Sequence, residues 1–295
     1  MATTVPTFDG SDGVAKIRGE DEECRVRSAD GESWTRWTHE VRKMEFERTL
    51  EHVHLGRGST VLELGSGDGF QLALLREHFG GVFSVDPEHA PADDAQRFTY
   101  AAAEALPFGD CTFDLIFSNC VLEHLNDRRR GMQEAVRVLK PGGYMAHVVP
   151  ARFWKVASLC LNPIGYPLRV AEKWHATRKL ARENGVPEAF RSGAGPQPGI
   201  LTVLGRWLRP PIHGTYPSHL SECRSYGRHQ WAGLFDHPDL VPVAEVRLPC
   251  VTQFGFLRFR LVPLRKRLGE LGLNSSWAFI MRRPGSAWRR PDPGM

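Results

Sequence analysis

The sequence predicts a doubly wound α/β fold: a mostly parallel, seven-stranded sheet with helices on both faces and a lid inserted after the fifth strand. Three observations carry this expectation. Between residues 60 and 150, short apolar runs alternate with stretches of helical spacing. The glycine-rich and polar signatures of that region fall at the ends of those runs, where parallel sheets bind ligands. Two further apolar runs near the C-terminus complete the strand count.

The elements follow in order. Residues 1–30 are polar, rich in Asp, Glu and Gly, and read as a disordered tail. Trp34, Trp37, Val41, Met44, Leu50 and Val53 then recur every three or four positions, as in an amphipathic helix, and Gly56 and Gly58 are its stop signals. Thr60–Leu64 is a buried strand that runs into Gly65-Ser-Gly-Asp-Gly69, and Phe70–Phe79 is a helix with Leu72, Leu75 and Phe79 on one face. Val82–Asp86 is the second strand, Phe98–Ala101 a weak third and Phe113–Ser118 the fourth. A helix over Arg129–Leu139 and a turn at Lys140-Pro-Gly-Gly143 lead to the fifth strand, Tyr144–Val149.

Past Pro150 the pattern loosens. Residues 151–220 read as a substrate-binding insertion of helices and loops, with Phe153, Trp154, Trp174, Trp207 and a Gly/Pro-rich stretch over Gly193–Gly199. His219–Phe235 is helical, and Val241–Leu248 and Ser276–Met281 are the last two strands, flanking a basic segment over Phe254–Leu273. On this reading residues 31–295 form one domain.

Composition narrows the class of protein. At 295 residues, with 41% hydrophobic and 24% charged residues, the chain is neither fibrous nor wholly disordered. No apolar run approaches the roughly 18 residues of a spanning helix, and the start lacks signal-peptide order; a soluble, cytoplasmic protein is expected. Six scattered cysteines without a CxxC pair argue against a zinc site and a disulfide framework, so no metal is expected. Charge is split: residues 1–150 carry a net −9 and residues 151–295 a net +13. The basic half suits an anionic or amphiphilic small-molecule partner, or peripheral contact with a membrane through Phe254–Lys266; chance clustering of solvated arginines reads it equally well. Nucleic acid is disfavoured, because no RNA-binding module or dense Lys/Arg stripe is present.

The loop at Gly65, Gly67 and Gly69 lets the backbone turn tightly and close on a ligand beside unpaired helix N–H groups. Asp86 ends the next strand 21 positions after Gly65, near the spacing at which a carboxylate reaches a ribose diol. The third glycine comes one residue earlier than in a dinucleotide G-x-G-x-x-G site, which tells against a nicotinamide enzyme.

Val61-Leu-Glu-Leu-Gly-Ser-Gly-Asp-Gly69 resembles the first motif of class I S-adenosylmethionine-dependent methyltransferases. Ala103-Glu-Ala-Leu-Pro-Phe108, Phe113–Asn119 running into Val121-Leu-Glu-His124, and Arg137-Val-Leu-Lys-Pro-Gly-Gly143 follow in the order of the type 11 subfamily. The resemblance implies a Rossmann-like fold and S-adenosyl-L-methionine as cofactor. It also implies that Glu63, Gly65, Ser66, Gly67, Asp68 and Gly69 face the methionine portion. Asp86 would take the ribose hydroxyls, with Pro87 beside the adenine, Ala103 and Glu104 at the adenine edge, and Ser118 and Asn119 beside the donor methyl. One departure stands out: where the family commonly has an Asp before the Ala-Glu pair, this chain has Ala102.

Methyl transfer to an oxygen or nitrogen of a small-molecule acceptor, lipid-linked or a natural-product intermediate, benefits from a base. His124, on the turn after strand four, is one candidate, though shaping that loop is the favoured role for it. His213, Tyr216 and His219 are three more, close together in the insertion. His147, inside strand five, reads as a packed histidine. The alternative is a non-catalytic scaffold that binds the cofactor without turnover.

Overall fold

The computed structural model describes residues 32–91, 97–167, 212–251 and 261–285. One compact unit comprises Trp37–Asn162 and Arg209–Met295; the second, Met1–Arg36 with Pro163–Leu208, is described only at residues 32–36 and 163–167, which are helical. The tail over residues 1–30, most of the insertion with Trp174, Trp207 and Gly193–Gly199, and residues 252–260 of the basic segment lie outside the described residues.

The first unit is built on a seven-stranded sheet of order β3-β2-β1-β4-β5-β7-β6. Its strands are β1 (Thr60–Leu64), β2 (Gly81–Asp86), β3 (Phe98–Tyr100), β4 (Phe113–Asn119), β5 (Leu139–Pro150), β6 (Val241–Arg247) and β7 (Ser276–Arg282). The first five pair in parallel, and β7 runs antiparallel to both β5 and β6. The order reverses between β1 and β4, so a crevice opens beyond their carboxyl ends.

The described helices are α1 (Glu32–Leu50), α2 (Phe70–His78), α3 (Arg128–Val138), α4 (residues 152–167), α5 (His219–Ser225), α6 (Arg228–Phe235) and α7 (Val262–Leu268). Because strand side chains alternate, the sheet feeds two cores. Val61, Leu115, Phe117, Ala146 and Val148 pack with Phe46 of α1 and Leu72, Leu74 and Leu75 of α2. Leu62, Leu64, Ile116, Met145 and Val149 pack with Met132, Ala135 and Val136 of α3 and Trp231 and Phe235 of α6.

Three boundaries differ from expectation for physical reasons. The first helix stops at Leu50 rather than Leu55, and residues 51–58 turn without helix. The Lys140–Gly143 turn lies inside β5: Phe113 pairs with Leu139 but Leu115 pairs with Tyr144, so the extra residues bulge from the ladder. That bulge is pinned by a 2.8 Å ion pair between Lys140 and Asp114. The single helix expected over His219–Phe235 is two, because Tyr226 ends α5 and extended Gly227 caps α6. Among the described residues no helix is long and apolar enough to cross a membrane.

Candidate active site

The glycine loop adopts the backbone that its residues permit. Gly65, Gly67 and Gly69 have φ of +74°, +49° and +81°, a region unfavourable to side chains. A Cβ on Gly65 would stand 2.5 Å from Cγ2 of Val121, so the loops after β1 and β4 touch only because the residue is glycine. Gly67 has nothing within 4 Å of that position and faces open space.

Asp86 ends β2 and holds this loop. Its Oδ2 accepts from the Gly67 N–H (3.2 Å), and its Oδ1 accepts from the Glu88 and His89 N–H groups (2.9 Å each). Burial alone would raise its pKa; the N–H donors and nearby His89 outweigh burial and hold the carboxyl below the usual carboxylate range. Glu63, one strand over, behaves oppositely. Burial, reinforced by Asp68 and Asp86 against the opposing Arg76, pushes its carboxyl well above the usual range.

A cavity of about 720 Å³ opens beyond the strand ends, within the range of small-molecule sites. Of the residues expected to bind cofactor, Gly65, Ser66, Gly67, Asp68, Asp86, Pro87, Ala103, Glu104 and Asn119 line it. Glu63, Gly69 and Ser118 do not. Glu63 is buried in β1, and Gly69 caps α2. Ser118 is fully buried in β4, where its hydroxyl bonds Nδ1 of His147 (2.7 Å). Burial pushes the His147 pKa down to about 3, and its ring stacks on Phe235, so it is the packed, neutral histidine expected. Oε1 of Glu104 accepts from the Asn126 N–H (3.0 Å), tying the segment after β3 to the loop after β4.

Helix α1 supplies a wall that the sequence reading missed. Thr38, His39 and Arg42 line the cavity. His39 stacks on Phe70 (3.9 Å between centroids), and its Nε2 lies 2.8 Å from Asp68 Oδ2, clasping the glycine loop. Arg42 donates to Asn119 Oδ1 and to Glu45 Oε2. Buried Glu45 also accepts from Asn119 Nδ2 (3.1 Å) and Ser276 Oγ (2.8 Å), joining α1 to β4 and β7. The only sequence signal was polar residues interleaved with the apolar stripe. Cys120, also lining the cavity, has φ of +55°; burial pushes its thiol up to about 12, with Arg42 opposing.

Of the four residues singled out for proton transfer, only His124 is on the cavity wall; the His213 ring meets the His124 ring edge-on at 4.6 Å, and Tyr216 and His219 are placed by Arg128 and Glu222. Partial burial, with His213 and Arg128 nearby, lowers the His124 pKa against the pull of Glu123. Nε2 of His213 is 3.4 Å from Oε1 of Glu123, which is wholly buried. Tyr216 is bonded by Arg128, and burial raises its phenol. His219 faces Glu222 (3.7 Å), whose carboxylate is paired with buried Lys155 at 2.5 Å.

Residues 62–147 match the protein family described as "Methyltransferase domain". Over that stretch the chain is similar to the methyltransferase domain family. S-adenosylmethionine is the cofactor of this family. A demethylmenaquinone methyltransferase of Clavibacter sepedonicus is 33% identical over 95 residues, which is 29% of this chain and 39% of that protein. A malonyl-[acyl-carrier protein] O-methyltransferase of Enterobacter lignolyticus is 27% identical over 152 residues, or 49% of this chain and 58% of its own. The chain thus spans between about two fifths and three fifths of these curated relatives. Among solved structures, an S-adenosylmethionine-dependent methyltransferase from Mesorhizobium loti aligns over 81% of this chain and 98% of its own, at 14% identity and a TM-score of 0.48.

Proposed function

We propose that the protein is an S-adenosylmethionine-dependent methyltransferase acting on an oxygen or nitrogen of a small-molecule acceptor. The observation that carries the reading is the cavity walled by the positive-φ glycine loop and Asp86. The residues fit the cofactor's chemistry. Gly67 leaves room for a ligand to approach the backbone. Gln71 Nε2 is buried without a partner on the cavity wall, a donor suited to a carboxylate or hydroxyl. Asp86 and Asp68 offer acceptors, and Arg42 a cation for the carboxylate of the methionine portion.

When bound, S-adenosylmethionine supplies a methyl group on a sulfonium, and displacement breaks the sulfur–carbon bond as the acceptor–carbon bond forms. The chain's own work is orientation and water exclusion. Asp86 fixes the loop that seats the cofactor, and the α1 clasp of His39 on Asp68 closes it from above. Asn119, held by Arg42 and Glu45, ends β4 beside the place where the methyl must be presented. On the acceptor side, the nitrogens of His124 and His213 are the groups that receive a proton from an O–H or N–H. Tyr216 and His219 support that face, Tyr216 through Arg128 and His219 beside Glu222.

The test is transfer of isotopically labelled methyl to a metabolite extract by wild type and by a His124→Ala variant. Labelling of an extractable small molecule, reduced at least tenfold in the variant, is expected. Cofactor uptake without labelling of any fraction would favour a scaffold instead.

A further inference from the structure

Glu123 is a buried carboxylate that no hydrogen bond satisfies among the described residues, although buried Arg42 is within electrostatic reach of it. It lies at the turn after β4, with no exposure, and neither carboxylate oxygen has a hydrogen-bond partner. Leaving a buried carboxylate so poorly satisfied costs several kcal/mol. The guanidinium closest along the chain does not relieve it: Arg128 donates to the carbonyls of Leu122 and Glu123 and to the Tyr216 hydroxyl. A single imidazolium at His213, 3.4 Å from Oε1, would still leave Oε2 empty.

We propose that Glu123, His124 and His213 form a binding site for a divalent transition-metal ion of the zinc type, with an open coordination position towards the cavity. One carboxylate and two imidazoles are a donor set suited to such ions. Ligand atoms around a tetrahedral ion with bonds of about 2.0–2.1 Å lie about 3.3–3.4 Å apart, which is the His213–Glu123 separation. One ligand atom from each of the three residues lies within 4.8 Å of the others.

The support around these ligands is built in. The His213 N–H donates to Glu222 Oε1 (3.2 Å), and its carbonyl accepts from the Tyr226 hydroxyl (2.9 Å). Gly214, at φ +84°, lets the chain pass so close that a Cβ would stand 2.5 Å from the Glu123 carbonyl oxygen. The Thr215 N–H donates to that same oxygen at 3.3 Å. His213 is therefore held opposite Glu123 by its backbone, while its ring is left for a ligand. These contacts place the backbone of His213 beside Glu123 and leave the ring free to turn onto an ion. Only the use of the open position rests on the proposed methyl transfer: there the ion binds the acceptor's heteroatom and lowers the pKa of its proton. With the ion bound, that proton passes to bulk water while the imidazoles hold the metal; without the ion, the imidazoles receive it.

The experiment is titration of the chelator-treated full chain with Co²⁺, followed by visible absorption, and with Zn²⁺ by calorimetry. One ion per chain, with the bands of a low-coordinate cobalt site, is expected. His213→Ala and Glu123→Gln should each weaken binding by at least tenfold, and His229→Ala, an exposed residue of α6, should not. His213 is partly exposed, so its variant keeps the test open if Glu123→Gln fails to fold. No binding at millimolar metal, or binding unchanged in His213→Ala, overturns the site. Cofactor binding measured on the same preparation separates that failure from failure of the proposed function.

Discussion

The two sides of the cavity are finished to different degrees. On the β1–β2 side the key carboxylate, Asp86, accepts from backbone N–H groups and sits below its usual pKa. On the β4 side the key carboxylate, Glu123, has no hydrogen-bond partner for either oxygen. The first side is assembled before any ligand arrives. The second holds a buried carboxylate between His213 and the cavity residue His124.

Breaking the β4 side should have the largest effect on stability. Lys155→Met removes the buried cation paired with Glu222 and leaves that carboxylate with the His213 N–H; loss of one partner of a buried pair costs about 3–5 kcal/mol, which chemical denaturation measures. On the β1 side, Gly65→Ala combines a left-handed backbone with overlap on Val121, for about 2–4 kcal/mol. Gly67→Ala, with open space around it, should cost only the backbone part, about 1–2 kcal/mol. Equal losses in the two glycine variants would show that the loops do not meet at Gly65.

Ser118→Ala sharpens the boundary between site and support. It leaves buried Nδ1 of His147 without a partner, costing about 1–3 kcal/mol, yet cofactor affinity should stay within twofold because Ser118 does not line the cavity. The smallest effect is pH-dependent and concerns Glu63. Its folded pKa is raised, so unfolding releases a proton above the unfolded pKa of about 4.3, and stability falls as pH rises towards the folded value. Glu63→Gln mimics the protonated acid. It should match wild type near pH 4 and exceed it in melting temperature at pH 7.5, with the gap widening between.

The sheet and the cofactor wall were legible because glycine spacing and apolar runs are local. Gly65–Gly69 and Asp86 announce a strand end and a carboxylate within 22 residues. Arg42 and Glu45 were not legible: on a helix that precedes the sheet, a polar residue facing the cavity has the same spacing as one facing water. Glu123 was hidden for another reason. Its neighbour His124 drew attention, while its own isolation depends on His213, brought back by a chain that returns 90 residues later. Ser118 was placed at the donor methyl by resemblance, but in β4 its hydroxyl bonds His147 across the sheet.

The most direct test is calorimetric binding of S-adenosylmethionine to the wild-type chain and to Asp86→Ala. The account predicts saturable one-to-one binding. In the variant that binding should weaken about 10- to 150-fold, as expected when a charged acceptor worth roughly 1.5–3 kcal/mol is lost. Absence of uptake by the folded wild type at millimolar cofactor, or equal affinity in the variant, would contradict it.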